Sequence, residues 1–296
     1  MKRIWKEKNS RGKDLLARLL ENRGLLTPEA VADFLDPRYE RSHDPYLLRD
    51  MDPAVARIRA AIAANEQITI YADYDADAVT AAAVLIRFLR QAGHGRVDHY
   101  IPDRFSEGYG MNAEAVKRLA ERGTRLIVTV DCGINAADSV DLATYLGIDV
   151  VVTDHHQPTG ELPRAAAVLN PHRRDDAYPF KDLTGVGVAF KLVQALAEKF
   201  KNQNSKIKIQ DGFEKWLLDL VAIGTVADCQ SLLGENRIFV KWGLQVMAKT
   251  RSVGLQALLR EAGIAGSPLD TYKIGFVIAP RLNAPGRIEH ANLALE

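Results

Sequence analysis

A chain of 296 residues, 47% hydrophobic and 26% charged, is long enough to bury a large core in one or two domains and has an ordinary globular composition. A formal net charge of +1 excludes nucleic-acid binding through a global basic field, while leaving room for a locally basic channel. No apolar run reaches the ~20 residues that span a bilayer, no secretory apolar core opens the chain, and Cys132 and Cys229 cannot make a disulfide framework, so a reducing, cytoplasmic setting without a membrane is expected.

The first stretch is basic. Lys2, Arg3, Lys6, Lys8, Arg11 and Lys13 face only Glu7, the pattern of a solvated, frayed terminus. Residues 12–35 read as helical: Leu15, Leu16, Leu19 and Leu20 have 3–4 spacing, Thr27-Pro28-Glu29 is an N-cap followed by proline, and Asp36-Pro37 closes the segment. Residues 1–50 are therefore assigned to an N-terminal helical segment, and another helix is expected at 53–64.

From there short apolar runs alternate with helices. Strands are expected at 68–72, 97–101, 126–130, 150–153 and 167–169, with helices at 79–91, 112–122 and 136–146 between them. Their near-continuous Val and Ile content is that of a parallel sheet buried on both faces. The expected fold class is α/β, a doubly wound, mostly parallel sheet flanked by helices, with ligands gathering beyond the strand C-termini. Helical pattern resumes at 186–200, 213–223, 235–249 and 254–261, and the polar run 201–211 is expected to be an exposed loop. Residues 51–265 form this domain. Residues 266–296 are expected to be a connector, and the sequence stops at Leu293-Ala294-Leu295-Glu296 inside an amphipathic pattern with no stop signal, as if cut.

Four clusters put carboxylates or imidazoles at the ends of these runs: Asp73-Tyr74-Asp75-Ala76-Asp77, Asp131-Cys132-Gly133, Asp154-His155-His156, and Gly224-Thr225-Val226-Ala227-Asp228. Taken singly, an Asp after a strand is more often a helix N-cap, and a His pair more often a surface pair. Together they are harder to dismiss, because three of the clusters end predicted parallel strands and the fold would bring them to one edge. Packing Asp75, Asp77, Asp131, Asp154 and Asp228 together without counter-charge would cost several kcal/mol, and no Lys or Arg lies within the clusters. Divalent cations are the economical compensation. Mixed carboxylate and imidazole donors favour Mn²⁺ over Mg²⁺, and two such ions ~3.5–4 Å apart could stabilise in-line attack on phosphorus. The two cysteines are expected to be small buried packing residues.

In this order the four clusters resemble the motifs of the DHH phosphoesterase superfamily, and within it the RecJ-like single-strand-specific 5′→3′ exonucleases. The similarity extends to the segments 34–37 (Phe34 to Pro37), 44–48 (Asp44 to Leu48), 101–110 (Ile101 to Gly110), 183–191 (Leu183 to Lys191) and 280–287 (Pro280 to Arg287). It thus covers nearly the whole chain. The resemblance implies that Asp75, Asp77, Asp131, His155 and Asp228 hold two Mn²⁺ or Mg²⁺ ions, Asp131 between them, with Asp73 and Asp154 as further ligands or orienting carboxylates. It implies catalytic roles for Asp131, His155 and His156, the last meeting the scissile phosphate. Arg104, Arg281, Asn283 and Arg287 become candidate nucleic-acid contacts, although Arg104 and Arg287 read equally well as ordinary surface arginines. The amides of Gly185-Val186-Gly187 could meet a phosphate or simply allow close packing, and Tyr109 could stack on a base or pack a turn.

The function so implied is a monomeric metal-dependent phosphodiesterase that degrades single-stranded DNA to 5′-mononucleotides in repair or recombination, alongside a helicase and a single-strand-binding protein. A DHH phosphoesterase acting on short oligoribonucleotides or cyclic dinucleotides, and a non-catalytic replication scaffold, are the alternatives. The chain departs from RecJ-like sequences at Ala78, where glycine is usual and a left-handed backbone would be strained. It departs from other superfamily members at Tyr71, where some have a metal-binding His. The resemblance also implies a glycine-rich domain and an OB-fold beyond residue 296.

Overall fold

The computed structural model describes residues 14–201 and 209–296. The basic run from Lys2 to Lys13 and most of the expected 201–211 loop lie outside the described residues. Five parallel strands form one sheet in the order β2-β1-β3-β4-β5: β1 (Gln67–Ala72), β2 (Val97–Tyr100), β3 (Thr124–Val130), β4 (Asp149–Thr153) and β5 (Ala167–Leu169).

Each central strand is apolar on both faces because both faces are covered. Ile68, Ile70, Leu126, Val128, Val130 and Val151 point into one core, which they share with α3 (Met51–Ala63), α4 (Ala76–Gln91) and α7 (Gly185–Lys201). The intervening Tyr71, Ile127, Val150 and Val152 point into the other, against α5 (Ala113–Glu121) and α6 (Ala137–Tyr145). This two-residue alternation is the signature of a strand, and here it feeds two cores at once. The chain leaves β1 toward β2 and then returns past it to β3, so the strand order reverses at the C-terminal ends of β1 and β3, where a crevice opens.

A third core joins α8 (Leu218–Ala227), α9 (Gly234–Met247), α10 (Val253–Glu261) and a helical run from Thr271 to Ile288 that contains a π-turn at Ile274–Ile278. Residues 266–296 therefore pack rather than dangle, with Ile274, Ile278, Ala279 and Ala291 buried. The short helices α1 (Leu15–Glu21) and α2 (Pro28–Leu35) precede the sheet domain, and Thr27 caps α2 through its hydroxyl. The following segment is pinned to the domain. Lys191 of α7 donates to the His43 carbonyl and pairs with Glu235 at 3.0 Å, and both of those side chains are buried. Glu235 also accepts from the Tyr178 hydroxyl and the His43 amide.

Two expectations are refined. The helix expected to end at 223 runs on through Ala227, which puts the fourth acidic cluster in the last turn of α8 and Asp228 at its cap. Ala78 is an interior residue of α4 and not one of the described residues at positive φ, so alanine brings no left-handed strain there.

Candidate metal centre

Four pieces of backbone deliver the acidic and imidazole groups to the crevice. Past β1, Asp73 is 2% exposed, and Asp75 caps α4 by accepting from the Ala78 amide at 3.0 Å. Asp77, in the first turn of α4, is buried and accepts from the amides of Gly185 (2.7 Å) and Val186 (3.0 Å) at the start of α7. Those amides are thus committed to a carboxylate of the chain itself rather than left for a phosphate.

Past β3 comes Asp131, held at φ 59° in the left-handed region while its amide still bonds the Thr153 carbonyl across the sheet at 3.0 Å. Such a conformation costs a non-glycine residue about 1–3 kcal/mol and persists only where the surroundings impose it. Past β4, Asp154 is an organiser. One carboxylate oxygen accepts from the amides of His155 and His156 and from His156 Nδ1 at 2.7 Å, and the other accepts from the Ile134 amide at 2.9 Å. His156 therefore presents Nε2 outward. The carboxylate beside it raises the proton affinity of His156, and burial alone does not overcome that.

His155 behaves oppositely. Burial first, then the neighbouring His156 charge, lower its pKa to about 4, so its ring is neutral at physiological pH. Its Nε2 lies 3.1 Å from Asp131 Oδ1 and 3.8 Å from Asp228 Oδ2. Asp228 sits at the C-terminal cap of α8, the negative end of the helix dipole, where a carboxylate is disfavoured without a cation. Burial and the charge of Asp75 push it up to about 6.

Two overlapping constellations result, each with ligand atoms within 4.8 Å of one another: Asp77, His155 and Asp228, and Asp131, His155 and His156. Asp75 belongs to neither, though its charge acts on Asp77, Asp131 and Asp228. Burial and mutual repulsion hold Asp77 and Asp131 well above the carboxylate range. Asp73 Oδ1, Asp131 Oδ1 and Asp228 Oδ2 are buried with no hydrogen-bond partner, the 3.1 Å approach of His155 to Asp131 lacking hydrogen-bond geometry. Orphaned buried carboxylate oxygens beside a neutral imidazole make a donor set that fits divalent cations of the Mn²⁺ type.

The remaining candidates spread outward from the crevice. Arg104 is exposed, with its guanidinium 4.9 Å from the Tyr74 ring centre. Arg281 donates to the Val277 carbonyl in its own helical run, and Arg287 is exposed. Asn283 spends its side-chain oxygen on the Ala76 amide at 2.7 Å, which ties the C-terminal run to the start of α4 instead of leaving that oxygen for a nucleic acid. Tyr109, 58% exposed, places its hydroxyl 3.5 Å from His156 Nε2 beside a 390 Å³ cavity lined by Met111, Asn135 and Ser139. Tyr71 is buried in the second core and donates to the Gly110 carbonyl. Cys132 is buried as expected, whereas Cys229 is exposed, because it is the left-handed residue (φ 59°) that turns the chain out of α8.

Sequence reasoning allowed for close packing at Gly185 and missed it at Gly224. A Cβ on Gly185 would come within 2.5–2.6 Å of the Asp131 side chain, and one on Gly224 within 2.6 Å of Asp77 Oδ1. The available signal was a lone glycine inside the apolar helical run Ile223-Gly224-Thr225, a pattern that usually has a packing reason.

The family model described as "DHH family, N-terminal domain" matches residues 67–225, the span that carries the sheet, α7 and most of α8. This chain belongs to the DHH family. Among sequence relatives, the DHH chain is 43% identical over 281 residues to the single-stranded-DNA-specific exonuclease RecJ of Bacillus subtilis, covering 95% of this chain and 34% of that protein. It is 38% identical to Escherichia coli RecJ, covering 95% and 48%. Among solved structures it superposes on an exonuclease RecJ bound to manganese (TM-score 0.73, 36% identity, covering 84% of this chain and 60% of that one). RecJ of Thermus thermophilus in complex with Mn²⁺ gives a TM-score of 0.76 at 32% identity, covering 94% and 38%. The DHH chain thus spans less than half the length of the two sequence relatives.

Proposed function

We propose that the chain carries the metal centre of a RecJ-like exonuclease, a phosphodiesterase that removes 5′-mononucleotides from the 5′ end of single-stranded DNA in repair or recombination. The observation that carries this reading is the meeting of Asp77, Asp131, His155 and Asp228 at one crevice, with orphaned carboxylate oxygens on Asp131 and Asp228 and no basic counter-charge among them. Its similarity to RecJ proteins, including one bound to manganese, supports the substrate and the metal.

In this reading Asp75, Asp77, Asp131, His155 and Asp228 hold two divalent cations, Mn²⁺ preferred and Mg²⁺ accepted. The cations supply Lewis-acid polarisation of the phosphate and activation of water. The chain's own groups do the rest. Asp154 fixes the His156 ring through Nδ1 and raises its proton affinity, leaving Nε2 to hydrogen-bond a phosphate oxygen or to pass a proton to the departing 3′ oxygen. His155 stays neutral and keeps its lone pair for a cation. Asp73, buried and close enough to Asp75 to feel its charge, serves as an orienting carboxylate. Arg104, Arg281 and Arg287 contact the strand backbone, and such contacts position a strand without reading its sequence. A helicase and a single-strand-binding protein are the partners that such an activity implies.

The test is loss of label from a 5′-labelled single strand incubated with Mn²⁺, with the chain as it stands. Release of labelled mononucleotide that disappears on chelation is expected. Release that survives Asp131→Ala combined with His155→Ala overturns the reading, and preference for a dinucleotide over a long strand in competition reassigns the substrate to short oligoribonucleotides.

A further inference from the structure

Resting on the metal-centre reading above, we infer that Gly185 and Gly224 are positioning residues: the missing Cβ of each is the space in which a metal-ligating carboxylate sits, and together with the first amides of α7 they set the affinity of the centre. Both glycines lie on helices, at backbone angles outside the left-handed region, so neither is required by the turn of the chain. What they share is where a side chain would go. A Cβ on Gly185 would stand 2.5 Å from both Cβ and Oδ1 of Asp131 and 2.6 Å from its Cγ. A Cβ on Gly224 would stand 2.6 Å from Asp77 Oδ1 and 2.7 Å from Val186 Cγ1, and would overlap Thr80 Oγ1 as well.

None of these obstacles can simply swing away. Asp77 is gripped by two amides, one on each oxygen, at 2.7 and 3.0 Å. Asp131 is held in a left-handed backbone that is itself bonded across the sheet. Thr80 is tied back to the carbonyls of Ala76 and Asp77. Real Cβ atoms do not approach other heavy atoms so closely, so an added methyl must displace the carboxylate or push its helix outward. Ligand-to-cation distances tolerate about 0.2 Å, so either movement is large on the scale of a binding site.

The grip on Asp77 has a second consequence. With each of its oxygens already accepting one amide, the carboxylate is fixed in plane before any cation arrives. The start of α7 therefore acts by preorganising a ligand, and Gly224 of α8 closes the other side of the same slot.

The experiment measures Mn²⁺ affinity by calorimetry, and thermal melting without metal, for the wild-type chain and for Gly224→Ala, Gly185→Ala and Gly123→Ala. Gly123 is the control: it stands at φ 80° just before β3, at the opposite end of that strand from Asp131, so alanine there strains the backbone without touching α7 or α8. Gly224→Ala and Gly185→Ala should each lose about 10–100-fold in Mn²⁺ affinity, the cost typical of disturbing groups that orient metal ligands. Gly123→Ala should melt at lower temperature and keep its affinity within about threefold. Affinity lost equally in all three, in proportion to lost stability, overturns the inference and leaves only packing. So does wild-type affinity in both Gly224→Ala and Gly185→Ala. A wild-type chain that binds no Mn²⁺ defeats the metal-centre reading itself, a result separable from the other two.

Discussion

Asp73 offers a direct measure of how much strain the acidic crevice stores without metal. Burial pushes its carboxyl up to about 7, against an ordinary value of 3.8. Between those two values the folded chain holds a proton that the unfolded chain has released, so folding is favoured at the lower end and the advantage is lost as pH rises through about 7. Worked through the linkage relation, the contribution falls by about 2–3 kcal/mol between pH 5 and pH 8. Asp73→Asn removes the titrating group and leaves a neutral side chain of the same shape. Urea unfolding of chelated wild type and variant at pH 5, 6, 7 and 8 should show the variant gaining on the wild type steadily, by about 2–3 kcal/mol over that range. Saturating Mn²⁺ should shrink the gap by supplying the missing positive charge. A stability difference that stays the same at all four pH values would show that Asp73 does not titrate there, and that burial of its carboxylate is compensated by something other than a proton.

Three further outcomes follow from the geometry. Asp131→Gly should raise the stability of the metal-free chain by about 1 kcal/mol or more, since it relieves a left-handed backbone and an uncompensated carboxyl, yet it should abolish Mn²⁺ binding; melting and calorimetry on the same samples check both halves. Asp154→Asn should lower the pKa of His156, because a charged acceptor on Nδ1 is replaced by a neutral one; an NMR titration of the ring would read this, and an unmoved or higher pKa would contradict the assignment. Lys191→Met should cost about 3–5 kcal/mol by leaving Glu235 buried without its partner, and Lys191→Met combined with Glu235→Gln should recover part of the loss in urea unfolding.

Much of the architecture was written in hydropathy. Runs such as Ile127-Val128-Thr129-Val130 and Val150-Val151-Val152 are apolar on both faces, and only a sheet covered on both sides can bury them. From strands so placed, the emergence of Asp131 and Asp154-His155-His156 at one edge follows. Asp228 was harder, because the helical pattern legible over 213–223 does not show that the helix runs on through Ala227, and packing against α9 carries it there. Individual side-chain commitments were not legible. Nothing in Gly185-Val186 says that its amides face Asp77 rather than a ligand, and nothing in Asn283 says that it reaches Ala76, because both contacts join residues far apart in the chain. Cys229 misled for a related reason: its exposure comes from the turn that ends α8, a feature of backbone shape rather than of residue type.

The groups of the crevice arrive from the start of α4, the end of β3, the end of β4 and the last turn of α8. No local stretch can assemble them, and no partly folded form lacking the β1–β3 pairing or the docking of α8 against α4 can present them together. Cation binding would thus report on completed folding as faithfully as a calorimetric melt. A cation that recognises only the finished molecule also draws the population toward it, so the availability of metal in the cell would help determine how much of this chain stays folded.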